Sequence, residues 1–162
     1  MIPDYLLDDA ASLLEACRNK DMKLVMAESC TGGLIAAVLT AIPGSSDVLE
    51  RGFVTYSNAA KTELLGVPAE MIAAVGAVSE PVTQRMAEGA LQRSHAGIAV
   101  AVTGVAGPGG SSPDKPVGLV CFGVAARDQP MLSERQVFSG DRTAIRIAAV
   151  ARAFALIRAR LG

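Results

Sequence analysis

Leu24-Val25-Met26-Ala27-Glu28-Ser29-Cys30-Thr31-Gly32-Gly33 is the stretch whose reading decides the fold. A short apolar run ends in a carboxylate and three small residues with nucleophile-type side chains. Two glycines follow, then an apolar run from Leu34 to Ala41. The pattern predicts a strand over 23–27, a tight turn, and a helix over 31–41. Ser29, Cys30 and Thr31 then sit at the carboxyl end of a strand and the amino end of a helix. Unpaired backbone N–H groups there favour anions and developing negative charge. In open α/β sheets, ligands bind in that crevice.

Upstream, Leu6, Ala10, Leu13, Leu14 and Cys17 recur at helical spacing, predicting an amphipathic helix that ends near Asn19. Downstream, Val48 to Tyr56 reads as a second strand, with a kink expected at Gly52. Asn58 is placed to cap a helix over 59–65, with Gly66 ending it. Pro68 to Val75 reads as a short helix closed by Gly76, and Ser79 caps a longer one through Arg93. Gly97 to Thr103 is nearly all apolar, as a strand buried on both faces would be. A Gly/Pro/Ser loop covers 104–116. Strands over 117–126 and 132–138, joined by Arg127-Asp128-Gln129-Pro130, read as an antiparallel pair. Asp141 caps a final helix whose stripe is Ile147, Val150, Phe154, Ile157 and Leu161. Ile145 and Leu156 lie off that stripe, so a homo-oligomer contact and a second core contact both remain open. Strands alternating with helices predict an α/β fold. The expected architecture is a three-layer α/β/α sandwich on a mixed, mostly parallel sheet, as a single domain over 1–162.

The 162 residues are 51% hydrophobic but only 4% aromatic, with no Trp, which suits close helix-on-sheet packing and not a stacking platform for nucleic acid. A net charge of −1 gives no field to attract a polyanion. Cys17, Cys30 and Cys121 are odd in number and form no CxxC, which argues for a reducing cytoplasm and against a disulfide framework or zinc site. Asp4, Asp8 and Asp9 stand where a secretory leader would be basic. The apolar run from Leu34 to Pro43 is too short to span a bilayer. The expected partner is a small molecule, with neither nucleic acid nor membrane.

The single histidine narrows the chemistry. His95 precedes a strand, whereas Ser29 follows one; if those strands are parallel, His95 lies at the wrong end of the sheet to serve Ser29 as base, which disfavours a Ser-His-Asp triad. A neutral lysine is the usual substitute, and Lys61 is the candidate. In the first turn of a helix begun at Asn58, its cation is opposed by the helix dipole. Partial burial among Ala59, Ala60, Leu64 and Leu65 would depress its pKa further. Tyr56 could aim its hydroxyl at the same point. A solvated Lys61 and a rim Tyr56 fit the spacing as well. The segment Thr103-Gly104-Val105-Ala106-Gly107-Pro108-Gly109-Gly110 could present inward N–H groups as an anion nest, or be a flexible turn. It closes as neither a Walker A loop nor a dinucleotide fingerprint. Cys30 could be a thiolate at a helix N-terminus or a small core residue. Glu28 could orient a donor, accept a ligand hydrogen bond or be a strand-end surface charge. Arg142 could grip a phosphate or join the basic face of Arg146, Arg152, Arg158 and Arg160.

Seven segments together resemble one family. They are Ala27-Glu28-Ser29-Cys30-Thr31-Gly32-Gly33, Tyr56-Ser57-Asn58-Ala59-Ala60-Lys61, Leu65-Gly66-Val67, Gly76-Ala77-Val78-Ser79-Glu80, the 103–110 loop, Lys115-Pro116-Val117-Gly118, and Phe138-Ser139-Gly140-Asp141-Arg142. In that order they are similar to the C-terminal domain of CinA and its stand-alone relatives, the nicotinamide mononucleotide amidohydrolases. The resemblance implies hydrolysis of the carboxamide of nicotinamide mononucleotide, without metal or cofactor, by a Ser–Lys mechanism. The family's serine falls on Ser29 and its lysine on Lys61, with Tyr56 and Thr103 at the assisting positions. Candidate substrate contacts are Glu28, Cys30, Thr31, Gly32, Gly33, Gly104, Gly107, Gly109 and Arg142.

Overall fold

A computed structural model describes residues 1–162. The elements, in chain order, are α1 (Asp4–Asn19), β1 (Leu24–Glu28), α2 (Leu34–Thr40), a 3-10 turn (Ser45–Asp47), β2 (Leu49–Val54), α3 (Asn58–Leu65), α4 (Ala69–Val75), α5 (Glu80–Gln92), β3 (Ile98–Gly104), β4 (Leu119–Ala126), β5 (Leu132–Val137) and α6 (Arg142–Leu161). The five strands form one sheet in the order β2-β1-β3-β4-β5. β1 pairs parallel with both β2 and β3. β4 pairs antiparallel with β3 and β5. The sheet is therefore mixed, as expected, but its pairings divide evenly between parallel and antiparallel. The hairpin through Arg127–Pro130 leaves no crossover helix between β4 and β5, and a short connection enforces antiparallel pairing.

β1 and β3 are buried along nearly their whole length, and their alternation divides the core. Leu24, Met26, Ile98, Val100 and Val102 face α1, α2 and α6. Val25, Ala27, Ala99 and Ala101 face the layer holding α5. Large side chains on one face and mostly alanine on the other let α5 lie close to the sheet while the opposite layer fills with bulk. Each fully buried Val, Leu or Ile contributes about 1.5–3 kcal/mol relative to exposure. Ile145 and Leu156 both belong to the larger cluster. They are a second core contact of α6 and carry no cue for a partner copy.

Two local expectations are corrected. The irregularity in β2 falls at Glu50, where the register passes from Leu24↔Leu49 to Val25↔Arg51, and not at Gly52. The N-cap of α3 is Ser57, whose hydroxyl accepts from the Ala60 amide, and not Asn58, which opens the helix. Both residue types cap well, and the extended backbone at Ser57 decides between them. The expected caps Ser79 and Asp141 accept from the Val82 and Ala144 amides. No helix is long and apolar enough to cross a membrane.

Candidate active site

The parallel β2-β1-β3 unit delivers three chain segments to one edge. β1 ends at Glu28, β2 ends just before Thr55-Tyr56, and β3 ends at Thr103-Gly104. Ser29 leaves β1 still tied to the sheet, its amide donating to the Val102 carbonyl. Gly32 and Gly33 then turn the chain with φ of +59° and +100°. Side-chain-bearing residues rarely adopt those values, so the abrupt strand-to-helix turn requires glycine.

A cleft of about 260 Å³ opens at this edge. Ser29, Cys30, Tyr56, Lys61, Thr103 and Arg142 line it, and the 104–110 loop forms one wall. Inside it Lys61 Nζ lies 2.9 Å from Ser29 Oγ, with Lys61 only 1% exposed. The amine also donates to the Thr55 carbonyl at 2.9 Å, with the Tyr56 and Ser57 carbonyls at 3.4 and 3.5 Å. No carboxylate pairs with it. Burial therefore pushes the Lys61 pKa below its ordinary value, and only Cys30 opposes the shift. That opposition vanishes near neutrality, because burial pushes the Cys30 thiol up to about 12 and leaves it uncharged. Of the two readings of Cys30, the small core residue fits, because it is buried and desolvation outweighs the helix terminus. The cause of Lys61's burial also differs from expectation. Ala59 and Leu64 are exposed, and the side chain is buried because it reaches across to Ser29.

Four expected contacts lie elsewhere. Glu28, 1% exposed, is turned away from the cleft, and its two oxygens accept from the Ile35 and Ala36 amides at 2.9 and 3.0 Å. It satisfies the amino end of α2 and has no oxygen to spare. Thr31 is fully buried, and its carbonyl accepts from Arg146. Gly32 and Gly33 shape the turn behind the cleft and are not among its lining residues. Gly104, Gly107 and Gly109 do line it, along with Asn58, Ala77 and Val78, which lie in the segments that carry the family resemblance but were not among the expected substrate contacts. Ala77 and Val78 arrive on the α4–α5 connection, whose residues carry no side chain that by itself signals binding. Tyr56 is 61% exposed at the rim, where its hydroxyl accepts from Arg142 Nη2 at 3.0 Å. Arg142 Nη1 donates to the Gly107 carbonyl at 2.7 Å, tying the glycine loop to α6. His95 is exposed at the opposite end of the sheet, since β1 and β3 are parallel. No cluster of three or more His, Cys, Asp or Glu side chains is placed to hold a metal ion.

A hydroxyl paired with a buried lysine amine of lowered pKa, at the carboxyl edge of this sheet, can carry out acyl transfer. The family model described as the CinA C-terminal domain matches residues 8–161. The chain belongs to the CinA C-terminal domain family. It is 50% identical over 151 residues to the nicotinamide-nucleotide amidohydrolase PncC of Escherichia coli (strain K12), covering 93% of this chain and 92% of that protein. It is 52% identical over 156 residues to a CinA-like protein of Mycolicibacterium gilvum, covering 96% of this chain but 36% of that one. The chain spans about a third of the length of the first curated relatives it matches. Among solved structures, the competence/damage inducible protein CihA from Agrobacterium tumefaciens superposes with a TM-score of 0.95 at 46% identity, covering 98% of this chain and 97% of that one.

Proposed function

We propose that this CinA-family chain hydrolyses the carboxamide of nicotinamide mononucleotide to nicotinic acid mononucleotide and ammonia, acting as a single catalytic unit over its 162 residues. The observation that carries the reading is the 2.9 Å approach of a buried, unpaired lysine amine to Ser29 Oγ. The E. coli relative of nearly equal length, named for this activity, supports the choice of substrate. Three unpaired cysteines support a reducing, cytoplasmic setting.

In its neutral form the Lys61 amine has two hydrogens and one lone pair. The hydrogens go to the Thr55 carbonyl and, less closely, to the Tyr56 carbonyl. The lone pair is left for the Ser29 hydroxyl proton. Lys61 takes that proton as Ser29 Oγ bonds to the carboxamide carbon. The oxygen of the tetrahedral intermediate needs N–H donors. The Gly32 amide is already committed to the Ser29 carbonyl, whereas those of Cys30 and Thr31 have no backbone acceptor. Amides of Ala106, Gly107, Gly109 and Gly110 are likewise without a backbone acceptor, on the facing wall. One such donor lowers a barrier of this kind by about 3 kcal/mol. The Lys61 ammonium then protonates the amide nitrogen, the C–N bond breaks and ammonia leaves. Water attacks the acyl-enzyme, Lys61 takes its proton, and the proton returns to Ser29 as the acid departs. Thr103 and Tyr56 flank the pair, and Arg142 with the free loop amides forms the phosphate cradle.

Ammonia release tests this scheme. Wild-type chain should turn over the mononucleotide well ahead of the riboside and free nicotinamide, and Ser29→Ala should lose at least about 10³-fold in kcat. Turnover at the wild-type rate in Ser29→Ala would remove serine from the mechanism. Equal turnover of all three substrates would move the reading to a general small-amide amidase.

A further inference from the structure

We infer that Arg146 is a positioning residue that aims the Ser29 turn at the oxygen of the tetrahedral intermediate; the inference rests on the Ser29–Lys61 reading above. Arg146 lies on the second turn of α6, outside the cleft, where it shares a separate groove with Ile2, Leu34 and Ile147. Its Nε donates to the Cys30 carbonyl at 3.2 Å and its Nη2 to the Thr31 carbonyl at 2.8 Å. Both acceptors belong to the turn that carries the attacking oxygen.

A carbonyl and the following residue's N–H form one peptide group. The carbonyl of Cys30 is therefore joined to the N–H of Thr31, one of the two amides beside Ser29 that have no backbone acceptor. A cation drawing on that carbonyl fixes the peptide plane and makes its N–H a stronger donor. The planar guanidinium reaches the two carbonyls through two separate nitrogens held in one rigid plane. The turn's own backbone bonds run from the Ser29 amide to the Val102 carbonyl, from the Gly32 amide to the Ser29 carbonyl and from the Leu34 amide to the Thr31 carbonyl, and none of them engages the Cys30 carbonyl. Glu28 secures α2 further on, at Ile35 and Ala36. The Thr31 hydroxyl is buried and makes no hydrogen bond. α6 itself is anchored by Val150, Phe154 and Ile157 in the larger core cluster, so Arg146 acts from a rigid base. One helical turn earlier, Arg142 holds the opposite wall through Gly107 and Tyr56. The first two turns of α6 thus set the spacing between nucleophile turn and glycine loop.

The test compares Arg146→Met and Arg146→Lys in the full chain. Ammonia release from nicotinamide mononucleotide gives kcat and KM. Pyridine-3-boronic acid probes the tetrahedral state: its boron accepts Ser29 Oγ, the serine proton passes to Lys61, and the adduct carries the negative charge. Arg146→Met should lose about 30- to 100-fold in kcat, with KM within about threefold of wild type. Arg146→Lys should recover to within about tenfold of wild type. The affinity for the boronic acid should fall by the same factor as kcat in each variant, while inhibition by nicotinic acid mononucleotide stays constant. A kcat within twofold of wild type in Arg146→Met overturns the inference, as does a loss of kcat with unchanged boronic-acid affinity, which a merely loosened fold would give. Should Arg146→Met fail to fold, the same proportionality in Arg146→Lys decides. Ser29→Ala run alongside keeps the two readings apart. If it retains turnover, the Ser–Lys scheme fails; if it is inactive while Arg146→Met is normal, only the role of Arg146 fails.

Discussion

Two junctions meet at Ser29, and each buries an ionisable side chain to 1% exposure. At the β1–α2 junction the side chain is Glu28, and at the β2–α3 junction it is Lys61. Glu28 is fully matched, since both oxygens accept from amides at the positive end of a helix. Lys61 meets only neutral oxygens, those of Ser29 and three carbonyls, with no carboxylate. A buried ionisable group that is matched stabilises the architecture. One left unmatched is pushed toward its neutral form, and a neutral amine beside a hydroxyl is able to accept its proton. Two residues of similar burial, flanking the same serine, should therefore fail in opposite ways when replaced.

The largest effect belongs to Lys61. Lys61→Met keeps the stem and removes the amine, so kcat should fall by about 10³-fold or more in the ammonia assay. Stability should stay within about 1 kcal/mol of wild type or exceed it, because an unpaired buried amine no longer has to be desolvated. Thermal unfolding measures that second half, and a large loss of stability would mean that Lys61 is architecture after all.

The pH dependence sharpens the same contrast. In the folded chain the Lys61 pKa lies below the ordinary value near 10.5 that the unfolded chain retains. Between the two values the unfolded state holds a proton that the folded state has released, so stability rises with pH across that window. Below the folded value the desolvation penalty is present in full. The rate follows the same deprotonation, so kcat/KM should rise with pH to a midpoint below 10.5. Replacing Lys61 with Met should flatten the stability curve over that range, and an unchanged curve would assign the titration to another group.

Glu28 should break the other way. Glu28→Gln places an NH₂ group against two helix amides, one buried and one part-buried, that both need an acceptor, leaving at least one unsatisfied at a cost of about 1–3 kcal/mol. For a chain of this length that lowers Tm by about 2–4 °C per kcal/mol. The folded fraction should keep kcat within about tenfold of wild type. A variant of normal Tm that is inactive would return Glu28 to the chemistry.

Why one junction was easier to read than the other follows from sequence distance. The β1–α2 turn, the apolar β3 and the 127–130 hairpin are written in adjacent residues, so their periodicity and glycines disclose them. Pairing Ser29 with Lys61 required the absence of a usable histidine, together with the family resemblance, because 32 positions separate the partners and local pattern carries nothing across that gap. Glu28 is not legible in sequence, since strand-end carboxylates usually face solvent and the amides that donate to it lie seven and eight residues on, past a turn of unusual geometry. Residue type alone does not choose the cap of α3, because Ser57 and Asn58 both cap well. The role of Arg146 was hidden in a run of arginines, where the bland reading of a solvated basic face covers several residues equally well; only the packing of α6 on the turn separates it from Arg160.

The smallest expected effect concerns Cys30, which shares both junctions and serves neither as a charge. With its thiol pushed up to about 12, the thiolate fraction at pH 8 is about one part in 10⁴, and the side chain is 7% exposed. Iodoacetamide at pH 8 should leave the native chain's activity unchanged over an hour and add no mass to Cys30 in intact-protein spectra, whereas the urea-unfolded chain should take up three equivalents, one for each free cysteine. Rapid alkylation of Cys30 with loss of turnover would show that the turn opens to solvent, and that the amine beside it is hydrated too. Lys61 would then titrate as an ordinary lysine, and the difference between the two junctions would disappear.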